Sequence, residues 1–355
     1  MDKTLTPETK LAFDAKEICI FDFIGSGSAI ASGAISYLQM IGAIQNIKWI
    51  AASSASSVHA AIVMSYTGVK NIKDFYTDML IKVQPTDINN IRVTDIFRLL
   101  TKGYVAKDDS VSHRDAVRYG FEYLLLLGSG NSNVTFREHY QQTGKILIFV
   151  LTDYNSGSIA YTCYLTTPDM RIADAAAAAF NPTFFFSPRL LSLNPGSKPR
   201  YYTEGFIGNS FPIDLFQKRC SRYYLGYYVL PEFKDYPIPE LTPRNFLGIT
   251  ISSQFLGDAI TYIFNGIFGV NFLSSRKQNR PIWETYYNLI QIGRRSQNIK
   301  LTKEIKTQIM SLELLTQPLT QDIPTNLNEY LTYFSQGYEA ARIQVVYYNR
   351  SGNFL

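Results

Sequence analysis

A short string of small residues carries the best candidate nucleophile in the sequence. The predicted strand NIKWIA is followed by Ala52, Ser53, Ser54, Ala55 and Ser56, and then by an apolar segment of helical length. A nucleophile elbow joins a strand to a helix through a sharp turn, and needs small residues two positions before and two positions after the nucleophile. Because both of those positions hold small residues, the pattern predicts Ser54 as a nucleophile.

A second small-residue loop precedes the elbow along the chain. The strand-like run EICIFDF, residues 17–23, is followed by GSGS at 25–28 and then by another apolar helix. Backbone N–H groups at the start of a helix can stabilise the oxyanion of an acyl-transfer reaction. Gly25, Ser26 and Gly27 are therefore candidates for an oxyanion hole. Considered separately, either loop also fits ordinary tight packing between a strand and a helix.

The order of elements places these two loops together. Residues 17–66 alternate as strand, helix, strand and helix, which predicts a βαβ unit with parallel strands. Loops at the carboxyl ends of adjacent parallel strands meet at the edge where open sheets bind ligands. Further on, KILIFVLTDY and NFLGITIS are typical of buried strands, and helices are predicted over 172–179 and 327–347.

Composition narrows the classes of function. The chain has 355 residues, is 46% hydrophobic and carries a net charge of +5 from scattered basic residues, so we expect a folded domain that does not bind nucleic acid. Three cysteines at wide spacing indicate neither a disulfide framework nor a zinc site. The N-terminus lacks a secretory signal, and no run of eighteen apolar residues occurs, so an intracellular soluble protein is expected. With three histidines in the chain, chemistry without histidine is favoured.

Five blocks, in order, make the sequence similar to the patatin-like phospholipase family. They are FIGSGSAIASGAISYLQMIG, IAASSASSVHAA, NVTFREHYQQTGKILIFVLTDYNSG, ADAAAAAFNPTFFFSP and EGFIGNSFPID. The resemblance runs along most of residues 17–220. It implies a three-layer α/β/α fold with a mainly parallel central sheet, here followed by a helical C-terminal elaboration.

The same resemblance implies a catalytic dyad of serine and aspartate, without histidine. The serine falls on Ser54, and the aspartate falls on Glu204, whose side chain is longer by one methylene group. The glycines that usually flank the serine are Ala52 and Ser56, and the second glycine after the acid is Phe206. A displacement of about 1 Å can cost on the order of 100-fold in a positioned reaction, so weak activity is expected.

Other polar residues fit structural roles better than catalytic ones. His59 lies five positions after Ser54 on the same predicted helix, which rotates it away from the serine and favours packing. Surface or capping roles are expected for His113 and His139. Asp153 is a candidate for the pocket edge and Asp214 is an alternative base to Glu204, although each is more often a cap or a turn residue.

Two further polar and aromatic features bear on the predicted pocket. Asp22 is expected to hold the glycine loop by hydrogen bonds. Phe184, Phe185 and Phe186 lie in a loop that the family places near its active site, so they line an acyl chain or pack as core aromatics. The apolar stretch at 255–273 fits a buried helix or an interfacial segment.

Together these observations predict one domain: an N-terminal tail at 1–16, a core at 17–235 and a C-terminal elaboration at 236–355. The predicted function is hydrolysis of lipid acyl esters by Ser54 and Glu204, with peripheral membrane contact and with no metal or organic cofactor. The alternative is a catalytically inactive scaffold of the same fold that binds a lipid or a protein partner. A hydrolase with a Ser-His-Asp triad ranks third, because no late histidine is suitably placed.

Overall fold

The computed structural model of the chain describes residues 5–23, 28–65, 118, 121–126, 130–181, 188–205, 209–217, 229–252, 302–313 and 327–354. The helices with described limits are α1 (Pro7–Asp14), α2 (Ser28–Met40), α3 (Ser56–Ser65), α4 (Phe136–Thr143), α5 (Ile172–Ala179), α6 (Lys303–Lys306) and α7 (Leu327–Ser351). Residues 121–126 are also helical. The strands are β1 (Ile18–Asp22), β2 (Trp49–Ala52), β3 (Ile146–Asp153), β4 (Ile159–Thr162), β5 (Arg189–Leu191), β6 (Arg200–Glu204), β7 (Phe246–Ser252) and β8 (Ile309–Glu313).

The eight described strands form one sheet. Its order is β5-β6-β3-β2-β1-β7-β8, and β4 pairs with β3 outside this path. The pairs β1–β2, β2–β3, β1–β7 and β7–β8 are parallel, whereas β4, β5 and β6 enter antiparallel pairs. The predicted βαβ unit is confirmed, because β1 and β2 are adjacent and parallel and α2 connects them.

Apolar residues cover both faces of the sheet. Along β1, Cys19 and Phe21 belong to one hydrophobic core, while Ile18 and Ile20 belong to the core on the opposite face. This alternation follows from the two-residue period of a strand. The first core includes residues of α2, α3, α5 and α7, and the second includes residues of a 3-10 turn at Ile213–Phe216. The predicted α/β class with a mainly parallel sheet between helices is confirmed.

The sheet extends beyond the predicted core of residues 17–235. Strands β7 and β8 lie past residue 235, yet β7 pairs with the central strand β1 and β8 pairs with β7. Within the predicted N-terminal tail, Pro7–Asp14 is helical, because the Thr6 hydroxyl accepts a hydrogen bond from the Thr9 N–H and caps the helix. None of the helices in the described ranges has both the length and the apolar character needed to cross a membrane.

Helices α2 and α7 touch through their backbones. A Cβ atom added at Gly33 would lie 1.8 Å from the carbonyl oxygen of Phe334, and one added at Gly337 would lie 1.8 Å from the carbonyl oxygen of Ile30. Since backbone atoms cannot move aside singly, any larger residue at either glycine would force the helices apart. The C-terminal helix is therefore fixed against the helix that follows the glycine loop.

We expect Gly337→Ala to lower the free energy of unfolding by about 1–3 kcal/mol, because this is the typical cost of overpacking a close contact. Urea denaturation of the wild type and the variant measures this difference. Ser335→Ala on the exposed side of the same helix is the control and should change stability by less than about 0.5 kcal/mol. Equal stability of the Gly337→Ala variant and the wild type would contradict the close contact.

Lys16 is a buried cation at the amino-terminal end of β1. Its side chain is 2% exposed, and its ammonium group donates hydrogen bonds to the Pro243 carbonyl oxygen and to Gln308 Oε1, each at 2.8 Å. Burial lowers the pKa of Lys16 to about 8. Because the pKa in the unfolded chain is about 10.4, the unfolded state binds more protons than the folded state between these values.

Stability at alkaline pH should reflect this buried lysine. Raising the pH from 7.5 to 9.5 should stabilise the wild type by about 2 kcal/mol relative to Lys16→Met, since the penalty for burying the charge is progressively removed. Chemical denaturation of both proteins at the two pH values gives the difference, and their common tyrosine titrations cancel. If the difference in unfolding free energy between the wild type and Lys16→Met is the same at both pH values, Lys16 titrates in the folded protein as it does in the unfolded chain.

Candidate active site

Ser54 occupies the turn between β2 and α3. Its φ angle is 52°, and it is the only non-glycine residue with a positive φ in the described ranges. Backbone hydrogen bonds from Ser56 N to Ser53 O, 3.1 Å, and from Ser57 N to Ser54 O, 3.0 Å, close the turn. The predicted strained turn between a strand and a helix is confirmed. Such a conformation costs on the order of 1 kcal/mol or more and is typical of functional sites.

The Ser54 hydroxyl contacts the carboxyl group of Glu204. Oγ of Ser54 donates a hydrogen bond of 2.5 Å to Oε2 of Glu204, and the two residues are 9% and 6% exposed. The sequence predicts this contact, and the additional methylene group of glutamate does not prevent it. A carboxylate at this distance is placed to accept the proton of the hydroxyl group.

The register of the sheet explains how these two residues meet. Ala52, the last residue of β2, lies opposite Phe149 of β3, and Ser54 follows two residues later in the turn into α3. Leu151 is in turn the partner of Glu204 on β6. Phe149 and Leu151 are two apart on β3 and so share a face of the sheet. The turn after β2 and the end of β6 therefore flank β3, and Ser54 and Glu204 meet across it.

Three contacts hold the backbone around Glu204. The Thr152 hydroxyl donates to the Glu204 carbonyl oxygen at 2.9 Å, and the Glu204 N–H donates to the Asn181 carbonyl oxygen at 3.3 Å. At Gly205 an added Cβ would lie 2.4 Å from the Val150 carbonyl oxygen, so only glycine allows this approach to β3. Thr152 and Asn181 were not predicted as site residues, because no local pattern shows that they contact a residue distant in sequence.

Several predicted site residues lie outside the described residues. These are Gly25, Ser26 and Gly27 of the proposed oxyanion hole, the aromatic residues Phe184, Phe185 and Phe186, His113 and the stretch 255–273. Their roles stay predictions. The described residues next to the glycine loop are Phe23, which follows β1, and Ser28, which begins α2.

The two described histidines are buried. The ring of His59 meets that of Phe23 edge-on, with 5.1 Å between centroids, and burial lowers the pKa of His59 to about 3. His139 is 1% exposed, so the expected surface position is wrong: Nε2 lies 3.3 Å from the Met64 carbonyl oxygen, and burial lowers its pKa. Both rings therefore stay neutral and packed at neutral pH.

The other carboxylates have partners of their own. Asp153 accepts from Arg200 Nη1 at 2.7 Å and from the N–H groups of Asn155 and Ser156, so it is a turn residue. Burial alone would raise the pKa of Asp153, but these hydrogen bonds, led by that from Arg200, hold it below its usual value. Asp214 accepts from Asn209 Nδ2 at 2.8 Å, and burial raises its pKa.

Asp22 differs from these two carboxylates. It ends β1, and burial raises its pKa to about 6. Its predicted hydrogen bonds to the glycine loop involve residues outside the described ranges. Within those ranges, no cluster of three histidine, cysteine or acidic residues has the arrangement of a metal site.

Comparison with known proteins gives distant similarities. The chain is 23% identical over 194 residues to a protein named "Probable lipid hydrolase 463L" of Invertebrate iridescent virus 6; the match covers 52% of this chain and 61% of that protein. In structure it is similar to VipD from Legionella pneumophila, with 12% identity, a TM-score of 0.47, and coverage of 94% of this chain and 67% of that one. It is also similar to the type III effector protein ExoU, with 12% identity and a TM-score of 0.40. That match covers 94% of this chain and 53% of ExoU.

No family model matches the chain. The sequence match spans less than two thirds of the viral relative, and the structural matches have low identity.

Removing the Thr152 hydroxyl tests how the Glu204 backbone is held. We expect Thr152→Val, which keeps the shape of the side chain, to lower the free energy of unfolding by about 1–2 kcal/mol, because the buried Glu204 carbonyl group loses a donor. Urea denaturation measures the change. The control is Thr332→Val, where an exposed hydroxyl bonds only within its own helix. An equal effect of both substitutions would argue against a role for Thr152 in holding Glu204.

Proposed function

We propose that this chain is a serine hydrolase of the patatin-like kind that cleaves acyl esters of lipids. Ser54 is the nucleophile, Glu204 is the general base, and backbone N–H groups around Gly25, Ser26 and Gly27 form the oxyanion hole. The observation that carries the proposal is the 2.5 Å hydrogen bond from Ser54 to Glu204 at a strained turn. The name of the viral relative, which refers to lipid hydrolysis, supports the choice of substrate class.

The chemistry follows from the two side chains. Ser54 Oγ attacks the ester carbonyl carbon while its proton moves to the Glu204 carboxylate, and the carbonyl oxygen becomes an oxyanion. Collapse of this intermediate breaks the bond to the leaving alcohol, which takes the proton from Glu204. Water then attacks the acyl-enzyme with Glu204 again as base, which releases the fatty acid and restores Ser54. This sequence uses no histidine, metal or organic cofactor.

The aromatic residues Phe184, Phe185 and Phe186 are proposed to line the path of the acyl chain. They follow α5 and precede β5, and the Asn181 carbonyl oxygen between α5 and this loop accepts the Glu204 N–H. Asn181, the last described residue before this loop, therefore contacts the backbone of the proposed base. A lipid substrate also requires contact with a membrane surface, so peripheral binding to membranes is part of the proposal.

Substitutions in the proposed dyad test the assignment with the purified 355-residue chain. Hydrolysis of p-nitrophenyl octanoate and of a fluorescent phospholipid should disappear in Ser54→Ala. Glu204→Gln should lower kcat by about 10²- to 10⁴-fold, as expected for the loss of a general base. The matched control is Ser53→Ala: Ser53 is the adjacent buried serine, its Oγ has no hydrogen-bond partner, and activity should stay within about two-fold.

The Glu204→Asp variant tests whether this site needs glutamate where the resembled family usually has aspartate. Although it restores the usual residue, the shorter side chain should leave the carboxylate about 1 Å too far from Ser54 and lower kcat by roughly 10- to 100-fold. If Asp214→Asn is inactive and Glu204→Gln is fully active, Asp214 and not Glu204 is the general base. If the wild type hydrolyses none of these esters, the inactive scaffold that binds a lipid or a protein partner is the better description.

A further inference from the structure

Ser56 lies at the start of α3, two positions after Ser54. Its side chain is fully buried. In the sequence pattern described above, glycine is usual at this position, so the hydroxyl group is an addition in this chain. A buried hydroxyl group is costly unless it finds a hydrogen-bond partner, which makes the contacts of Ser56 informative.

The Ser56 hydroxyl binds the backbone of Phe23. Its Oγ accepts a hydrogen bond of 2.6 Å from the Phe23 N–H, and it lies 3.5 Å from the Phe23 carbonyl oxygen, to which it donates. Phe23 follows the last residue of β1 and immediately precedes residues 24–27. One side chain therefore holds the main chain at the entry to the glycine loop.

The ring of Phe23 is held from the same helix. His59, one turn after Ser56 on α3, meets it edge-on at 5.1 Å, and Phe21 of β1 stacks on it at 5.2 Å. Residues three apart on a helix share a face, so Ser56 and His59 act on Phe23 together. The helix that follows the nucleophile thus fixes both the backbone and the ring of the residue before the loop.

We infer that Ser56 is a positioning residue, because its hydroxyl group ties the backbone of Phe23, the last described residue before the glycine loop, to the helix that follows Ser54. The inference rests on the proposed hydrolase function, in which that loop supplies the oxyanion hole. The hydroxyl group contacts no reacting atom. It acts through Phe23, whose N–H and carbonyl groups it binds.

Kinetics of Ser56 variants test the inference. Displacement of an oxyanion-hole donor typically costs about 10²- to 10³-fold in kcat, and a partial displacement should cost less. We expect Ser56→Ala to lower kcat for p-nitrophenyl octanoate by about 10- to 100-fold, with KM changed by less than about three-fold. Ser56→Gly, which restores the usual glycine, should lose as much, because it also lacks the hydroxyl group.

Ser57→Ala is the matched control. Ser57 is the next residue on α3, is fully buried, and its Oγ has no hydrogen-bond partner. Its replacement should leave kcat within about two-fold of the wild type. Thermal unfolding of each variant sets an assay temperature at which it is folded. Should Ser56→Ala fail to fold, the pair Ser56→Thr and Ser56→Val adds the same volume and differs in the hydroxyl group, and Thr should be at least about ten-fold faster.

Amide hydrogen exchange gives a readout that does not need activity. In Ser56→Ala the Phe23 amide should exchange at least about ten-fold faster than in the wild type, and in Ser57→Ala it should not change. An active wild type with unchanged kcat in Ser56→Ala overturns the inference and leaves the hydrolase proposal intact. A wild type that hydrolyses no ester overturns the hydrolase proposal, and with it the catalytic role of Ser56, even if the Phe23 amide loses protection.

Discussion

The hydrogen bond between Ser54 and Glu204 joins residues 150 positions apart, and it depends on the order of three strands. Strand β3 lies between β2, which leads to Ser54, and β6, which ends at Glu204. Neighbouring strands are about 4.8 Å apart, so β2 and β6 are separated by about 10 Å. A glutamate side chain spans more of this gap than an aspartate side chain does. The distance between the strands therefore explains why a longer acid suits this position.

Two constraints keep this contact in place. On one side, Ser54 is held at a positive φ by the hydrogen bonds that close the turn into α3. On the other side, Thr152 and Asn181 bind the carbonyl and N–H groups of Glu204, and Gly205 allows the close approach to β3. Both side chains therefore meet because their backbones are fixed independently, which is the preorganisation that catalysis by positioned groups requires.

Local patterns predicted the parts of the structure that are local. The alternation of strand and helix over residues 17–66 follows from hydrophobic periodicity, and the helix Ile172–Ala179 was predicted with its observed limits. The antiparallel pairing of β6 with β3, the hydroxyl of Thr152 and the burial of His139 were not predicted. Each depends on contacts between segments far apart in sequence, which periodicity does not encode.

Glu204 and Ser56 both differ from the residues that the resembled family usually has, and both make hydrogen bonds at the site. Glu204 stands where the resembled family usually has aspartate and binds Ser54, while Ser56 stands where that family usually has glycine and binds the backbone before the glycine loop. Burial alone does not ensure such contacts, since the hydroxyl groups of Ser53 and Ser57, which lie beside them, have no partner. Independent loss of function would leave replaced polar side chains equally unpaired. We therefore interpret the two replacements as parts of one rearranged site, in which the longer acid contacts Ser54 and the Ser56 hydroxyl binds the backbone that precedes the glycine loop.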